Sequence, residues 1–372
     1  KCLEGYDMHL WNQWRTVFKD VRKPHKSEWI MLFVTIIFIA LCFTYNDIII
    51  TTRHSIRFWD VLFSGKPLEF YNYNYAVTTG NSIYNVTQGA AYDFTIYIVF
   101  AVWNFPLWLL EHFLGVSVTE NMFCLMYSKT FLLLMIGFTA KALMSIGETA
   151  KMPRNTQLWM IFCWLSSVLL FSSTLMMAQY DIVSLCFMLW GVNAYLKNNN
   201  VKFALYFILA VSCKYFALLI FIPLVLLRFK KIYQIAGISV SSISLTAFWF
   251  VLFSFTDHTT VNAGGFGIAN ALLPMLLRWR LPGPFAEIPV FLLSMLVICV
   301  WAYAKKTDPE HTLSCTMFIC CASMLAFICE STLYPYWVVL ATPFLMLLAF
   351  SNPVRIKINL LLETGLSMCL LF

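Results

Sequence analysis

The sequence predicts an all-α polytopic membrane protein, and three observations carry that prediction. Hydrophobic residues make up 60% of the chain and charged residues only 12%, which excludes an ordinary soluble globular domain. Apolar runs long enough to cross a bilayer recur along the chain. Short basic turns separate these runs, as orientation signals do in polytopic proteins. We count about eleven membrane segments, two of them interrupted or re-entrant.

The chain divides into a cytoplasmic interfacial segment, 1–28, and a single transmembrane domain, 29–372. The first membrane helix is predicted over Trp29–Tyr45, running from inside to outside. The outer loop 46–93 follows, and its residues 52–64 have the pattern of an amphipathic helix lying in the outer interface. The rest of this loop is rich in Tyr and Asn, which suits sugar binding but is equally typical of an irregular loop.

The apolar run 94–113 contains Asn104-Phe105-Pro106. Because proline inside a helix kinks or ends it, we expect this run to be interrupted and to start and finish on the outer side. The helices that follow then bring Gln179-Tyr180-Asp181 to the outer face. If 94–113 spanned the membrane completely, the triplet would be cytoplasmic instead.

The module 177–231 combines that triplet with a basic turn, 197–202, and a second apolar run, 203–227, that contains Lys214. Basic residues flank this run on both sides, which predicts a hairpin that enters and returns, with Lys214 near its tip. The alternative is one tilted helix in which Lys214 snorkels or pairs with a carboxylate. An ionisable residue inside a membrane segment is in either case a candidate functional residue.

The second outer loop, 257–287, contains Arg278 and Arg280, against the positive-inside bias. Two guanidinium groups there would bind a phosphate; pairing with local acids or lipid headgroups is the alternative. The net charge of +7 lies mainly in short turns and does not indicate nucleic acid. Most of the twelve cysteines lie in apolar runs, and their spacing predicts no metal site and no cofactor.

The sequence resembles the GT-C superfamily of integral-membrane glycosyltransferases, particularly the mannosyltransferase-like branch that uses polyprenyl-phosphate sugars. Three stretches carry the resemblance: Phe58-Trp59-Asp60 through Gly65 with Tyr71, Gln179-Tyr180-Asp181 with Lys214 and Pro223, and Tyr334-Pro335-Tyr336-Trp337 with Pro343. The resemblance implies transfer of a sugar from a polyprenyl-phosphate-linked donor to a hydroxyl of a glycan, lipid or polymer acceptor, on the outer face. We also expect a multi-pass protein that is a monomer and lies in the bacterial plasma membrane rather than the ER membrane.

The candidate general bases are Asp47, His54 and Asp60, with Asp47 preferred because a carboxylate at the outer end of the first helix faces the mouth of the site. Relatives have an acidic pair where this chain has Thr52-Arg53-His54-Ser55. The candidate substrate-binding residues are Asp93, Gln179, Tyr180, Asp181, Lys214, Arg278, Arg280, Tyr334 and Tyr336.

Less specific roles stay open for several of these residues. The alternatives are that Asp47 caps a helix, that Asp60 lies on a solvated helix face, and that Lys214 only neutralises Asp181. A transporter or lipid flippase would also have broken helices and charges at membrane depth. The long polar loop after the first helix and the clustering of charges toward the outer mouth favour the enzyme.

Overall fold

The structure, a computed structural model, is all-helical apart from two short hairpins. It describes residues 22–44, 47–71, 74–77, 86–90, 92–254, 272–283, 286–306, 311–331, 334–351 and 356–371. Most of the predicted segment 1–28 and of the loop 257–287 lies outside these residues.

The helices are α1 Lys26–Cys42, α2 Asp47–Phe63, α3 Phe94–Leu114, α4 Met122–Thr149, α5 Arg154–Leu165, α6 Val168–Leu170 continued by a π-helix Phe171–Met176, α7 Asp181–Leu196, α8 Asn200–Cys213, α9 Leu218–Arg228, α10 Ile232–Ser242, α11 Ser244–Ser254, α12 Val290–Ala304, α13 Thr312–Glu330, α14 Thr342–Ser351 and α15 Ile356–Leu371. The strands form two antiparallel pairs, β1 Asn74–Val77 with β2 Val86–Gly89, and β3 Arg280–Leu281 with β4 Ile288–Pro289.

Within the described residues, three helices are long and apolar enough to cross a membrane, namely α3, α4 and α13. The number rises to six if each of three bent helix pairs counts as one span. The shorter apolar helices α7, α8, α9 and α12 add to the same pattern. Length and composition therefore agree with an all-α membrane protein, and the count of eleven segments stays a prediction.

Two helix pairs are joined at sharp bends. The chain bends by 47° between α5 and α6, and by 52° between α10 and α11. Just before the second bend, Ser241 and Ser242 donate hydroxyl hydrogen bonds to backbone carbonyls three residues earlier. Serine side chains that compete in this way for helical carbonyls weaken the backbone ladder and allow a helix to bend.

The predicted interruption of 94–113 is absent, because α3 is continuous through Pro106. Proline removes a single backbone hydrogen bond, and the remaining bonds of a 21-residue helix hold the element together. Tertiary contacts support it at the same level: the Asn104 side-chain amide donates to the hydroxyls of Ser55 on α2 and Ser128 on α4.

The apolar run after the basic turn folds into a hairpin. Lys214 adopts an extended backbone (φ −155°, ψ 128°) that ends α8, and a 3₁₀ turn over Tyr215–Ala217 leads into α9. At the open end, the Arg228 guanidinium donates to Asn200 Oδ1 at 2.8 Å. Of the two predicted arrangements, the structure therefore has the hairpin, with Lys214 at its tip.

Helices α7 and α8 approach closely at Gly191. A Cβ at this position would lie 2.6 Å from the Phe207 ring. We expect Gly191→Ala to lower the thermal unfolding midpoint in detergent, because overpacking of this kind costs about 1–3 kcal/mol.

The matched control for this change is Gly237→Ala on α10, where no atom lies within 4 Å of the added Cβ. That variant should unfold at or above the wild-type temperature, since alanine favours helix. Equal midpoints for both variants would contradict the close packing of α7 on α8.

Candidate functional site

The centre of the site is a buried ion pair between the hairpin tip and the start of α7. Lys214 Nζ lies 2.8 Å from Asp181 Oδ1, and the two side chains are 3% and 0% exposed. The ammonium also lies over the rings of Tyr92, at 4.1 Å, and Tyr180, at 4.8 Å. Cation–π contacts of a desolvated ammonium add to the attraction of the carboxylate, so the lysine can remain charged at this depth.

An irregular backbone segment delivers the triplet to this centre. The π-helix Phe171–Met176 is followed by Ala178 in the left-handed conformation, φ 55°. A non-glycine residue there costs roughly 1–3 kcal/mol, and π-helical turns occur frequently at functional sites. At the end of this turn, the backbone N–H of Gln179 donates to the Ser173 carbonyl, two residues before α7 begins.

Asp47 and Gln179, which are 132 residues apart in sequence, are hydrogen-bonded: the Gln179 side-chain amide donates to Asp47 Oδ2. Asp47 is the first residue of α2, where the helix dipole favours a carboxylate. It is also close enough to Lys214 and Asp181 to interact with both charges. The predicted base and the predicted triplet therefore lie together.

Asp93 forms the third part of the site, at the residue before α3. Its carboxylate accepts hydrogen bonds from the Tyr215 hydroxyl at 2.7 Å and the Thr246 hydroxyl at 2.6 Å. Burial raises the pKa of Asp93 to about 6, and these two hydrogen bonds oppose the shift. Asp93 thereby joins the start of α3 to the hairpin tip and to α11.

Tyr92, Asp93, Lys214 and Tyr215 line a cavity of about 260 Å³, whereas Asp47, Gln179 and Asp181 are not part of its lining. Its walls combine polar groups with aromatic rings and are formed by Tyr92, Asp93, Val211, Ser212, Cys213, Lys214, Tyr215, Phe216, Leu272, Met275, Tyr334, Tyr336 and Trp337. Pockets for drug-sized ligands measure about 300–1,000 Å³. A volume just below that range suits one small group, such as a phosphate or a single sugar ring.

Four predicted site residues lie away from this centre. Asp60 accepts a hydrogen bond from the Trp108 indole at 2.9 Å, about 20 Å along α2 from Asp47. His54 is buried, with its ring edge-on to Tyr97 at 5.3 Å, and does not line the cavity.

Arg280 pairs with Glu287 at 3.3 Å on the exposed β3–β4 hairpin. Arg278 is exposed and outside the cavity lining. Of the alternatives considered for these two arginines, pairing with a local acid is the one observed for Arg280.

Tyr92, Tyr215, Thr246 and Trp337 contact the charged groups or line the cavity, and the sequence did not single them out as site residues. Tyr92 directly precedes Asp93 and Tyr215 directly follows Lys214 in sequence, and Trp337 belongs to the motif that supplied Tyr334 and Tyr336, so adjacency could have pointed to all three. Thr246 had no comparable signal, since it stands in an ordinary apolar helix.

Comparison of the chain with known protein families, with curated proteins and with solved structures finds no match. Among the described residues, no group of His, Cys, Asp and Glu is arranged to hold a metal ion.

We expect Lys214→Met to lower the unfolding temperature and the yield of folded protein strongly. Removing one partner of a buried ion pair typically costs about 3–5 kcal/mol, because the other charge is left uncompensated. The double variant Lys214→Met/Asp181→Asn carries no unpaired charge and should recover much of this loss. Additive effects in the four-member cycle would show that the two groups are not coupled.

Stability should also depend on pH through Asp93. A carboxyl group whose pKa is raised in the folded protein binds its proton more tightly there, so its contribution favours the folded state at low pH and is lost as pH rises from about 4 to 6. Asp93→Asn cannot titrate and should have a flatter midpoint-against-pH curve over this window. Parallel curves for the two proteins would argue against the raised pKa.

Proposed function

We propose that the protein transfers a sugar from a polyprenyl-phosphate-linked donor to an acceptor hydroxyl, with a GT-C-like architecture. The observation that carries the proposal is the convergence of Asp47, Gln179 and Asp181 on Lys214, which lines a small cavity with aromatic walls. The resemblance implied binding roles for Gln179, Asp181 and Lys214 and a carboxylate base near the start of the outer loop, the place that Asp47 occupies. A carboxylate, an amide and a buried ammonium at one place are suited to such a transfer.

In the proposed reaction, Asp47 accepts the proton of the acceptor hydroxyl as its oxygen forms a bond to the anomeric carbon. The bond from that carbon to the phosphate oxygen breaks, and the electron pair leaves with the phosphate. Lys214 lines the cavity and has N–H groups beyond the one directed at Asp181, so it can stabilise the phosphate charge. Gln179 orients Asp47 through its amide.

The distribution of basic residues supports an outer location for this site. Helix α7 runs from Asp181 toward Lys197, and α8 returns from Asn200 to Lys214. Lys197, Lys202, Arg228 and Lys230 therefore lie at the end of the hairpin opposite the site. Basic residues mark the cytoplasmic side, so the ion pair belongs to the other side.

The contacts of α3 agree with this assignment, although the helix is long enough to cross a membrane. Its start at Asp93 lies beside the hairpin tip. Its middle, at Asn104, bonds to Ser128, and the neighbouring Lys129 donates to the Phe43 carbonyl just past the end of α1. We therefore infer that α3 lies along the outer interface and does not change sides.

A transporter would need ionisable groups that lead across the membrane. Among the described residues, the buried side chains of the Asp, Glu, His, Lys and Arg types are His54, Asp93, Lys129, Asp181 and Lys214. Each of them lies in, or packs beside, the elements that hold the site: His54 against Tyr97, and Lys129 against the end of α1. This one-sided distribution favours transfer chemistry over transport.

The decisive experiment measures transfer of labelled sugar from polyprenyl-phosphate carriers by purified protein in lipid. Asp47→Asn should reduce turnover by about 10²–10⁴-fold, because the variant cannot accept the proton. Donor binding should survive, since the amide keeps the shape of the carboxylate and its contact with Gln179.

Asp60→Asn is the matched control, a change of the same kind on the same helix. Its turnover should stay within a few-fold of wild type, because Asp60 bonds to Trp108, about 20 Å along α2 from Asp47 and its contact with Gln179. Absence of turnover with every donor, or equal turnover in both variants, would favour the transporter and reject this site.

A further inference from the structure

The rim of the cavity is formed by two stacked tyrosines. The rings of Tyr334 and Tyr336 lie 5.4 Å apart and are nearly parallel, with 8° between their planes. The Trp337 ring packs edge-on against both, at 5.1 Å and 6.0 Å. The short 3₁₀ helix Pro335–Leu340 holds these residues in place, so the rings form a preformed surface.

This aromatic surface runs from the interior to the outside. Tyr334 is 51% exposed, while Trp337 is 5% exposed and Lys214 4% exposed. These three side chains and Tyr336 line the same cavity. A molecule entering from outside would therefore meet the exposed tyrosine first and the ammonium last.

The deeper part of this wall contains an unused hydrogen-bond donor. The indole nitrogen of Trp337 is buried and has no hydrogen-bond partner within the described part of the chain. Buried indole N–H groups usually find a partner. A donor left without a partner in the wall of a cavity is available to a ligand that has acceptor oxygens.

Sugars combine the two properties that this wall would recognise. The faces of pyranose rings present C–H groups of slightly positive charge, which the negative face of an aromatic ring attracts. Their hydroxyl oxygens accept hydrogen bonds. A phosphate would use the donor but gain nothing from an exposed tyrosine face, and an alkyl chain would leave the donor unpaired.

We propose that Tyr334, Tyr336 and Trp337 form a subsite for a pyranose ring of the acceptor, so that the acceptor is a carbohydrate and not a lipid or a protein. This inference rests on the proposed transferase function and names its acceptor class. The ring stacks at the rim, on Tyr334. From there, one of its hydroxyls faces the interior, where the neutral Tyr336 phenol lies within electrostatic range of the Asp47 carboxylate.

Saturation-transfer NMR on the purified protein in nanodiscs tests this subsite without any need for turnover. The probes are methyl α-D-mannopyranoside and methyl β-D-glucopyranoside. We expect transfer to the ring C–H protons of at least one probe. Tyr334→Ala should weaken binding by roughly 3- to 10-fold, as expected for the loss of one aromatic contact, while Tyr334→Phe should retain it.

Tyr233→Ala is the control, because Tyr233 is also exposed but does not line the cavity. Its binding should equal that of wild type. No transfer to either probe, or equal weakening by Tyr334→Ala and Tyr233→Ala, would overturn the subsite.

Addition of a short-chain prenyl-phosphate hexoside, which carries the same hexose as the bound probe together with the phosphate of a donor, separates acceptor from donor. If the ring subsite serves the acceptor, this donor analogue places its own sugar elsewhere and leaves hexoside binding intact. Displacement of the hexoside would assign the ring to the donor and overturn the acceptor class. Hexoside binding without turnover in the labelled-sugar assay would reject the transferase and leave the sugar subsite standing, so the two failures are distinguishable.

Discussion

The pairing of Lys214 with Asp181 is the interaction on which the site depends. Two charges with almost no solvent exposure must be compensated where they are, since isolated burial costs far more than the chain can supply. The pair connects the tip of the α8–α9 hairpin to the first residue of α7. Once it forms, the positions of Tyr92, Tyr180 and Tyr215 follow, because their rings and the neighbouring hydrogen bonds enclose it.

The other polar contacts of the site connect the ion pair to α2, α3 and α11. Asp47 is held by Gln179, and Asp93 by Tyr215 and Thr246. A second buried polar group connects α2, α3 and α4: the Thr52 hydroxyl donates to Ser128, and Asn104 donates to Ser55 and Ser128. Hydrogen-bonded support of this kind holds functional side chains in place, so a small displacement of α2 would directly move Asp47.

The charged side chains of α7 and α8 lie at their two ends: Asp181 and Lys214 at the site, and Lys197 and Lys202 at the opposite end. The basic turns can orient the chain in a membrane, while the buried ionisable groups gather at the opposite end. The cavity there is small and partly aromatic, which suits selection of one group at a time. The left-handed Ala178 and the π-helix before it give the site a strained entrance to α7. Strain of this kind persists only where the surrounding packing overrides it.

Composition and the pattern of charges in the sequence were enough to predict several features. They indicated an α-helical membrane protein and an amphipathic helix after the first apolar run. Basic residues on both flanks of the run 203–227 predicted a hairpin with Lys214 near its tip, with a single tilted helix as the alternative. A motif that resembles a known superfamily led to Gln179, Asp181 and Lys214, and the position of Asp47 at the outer end of the first helix led to that carboxylate. Each of these predictions depends on residues that are close in sequence, or on the large free-energy cost of moving a charge out of water.

Only the tertiary structure determined which helices are continuous and which distant residues contact each other. Pro106 lies in a continuous helix because contacts with α2 and α4 support it. The chain bends between α10 and α11, where no proline occurs but where Ser241 and Ser242 bond to backbone carbonyls. Asp60 lies about 20 Å along α2 from Asp47, and Arg280 pairs with Glu287, so two chemically suitable groups are remote from the cavity. Thr246 meets Asp93 across 153 residues of sequence. Such partnerships depend on which helices pack together, and periodicity along one helix carries no information about its neighbours.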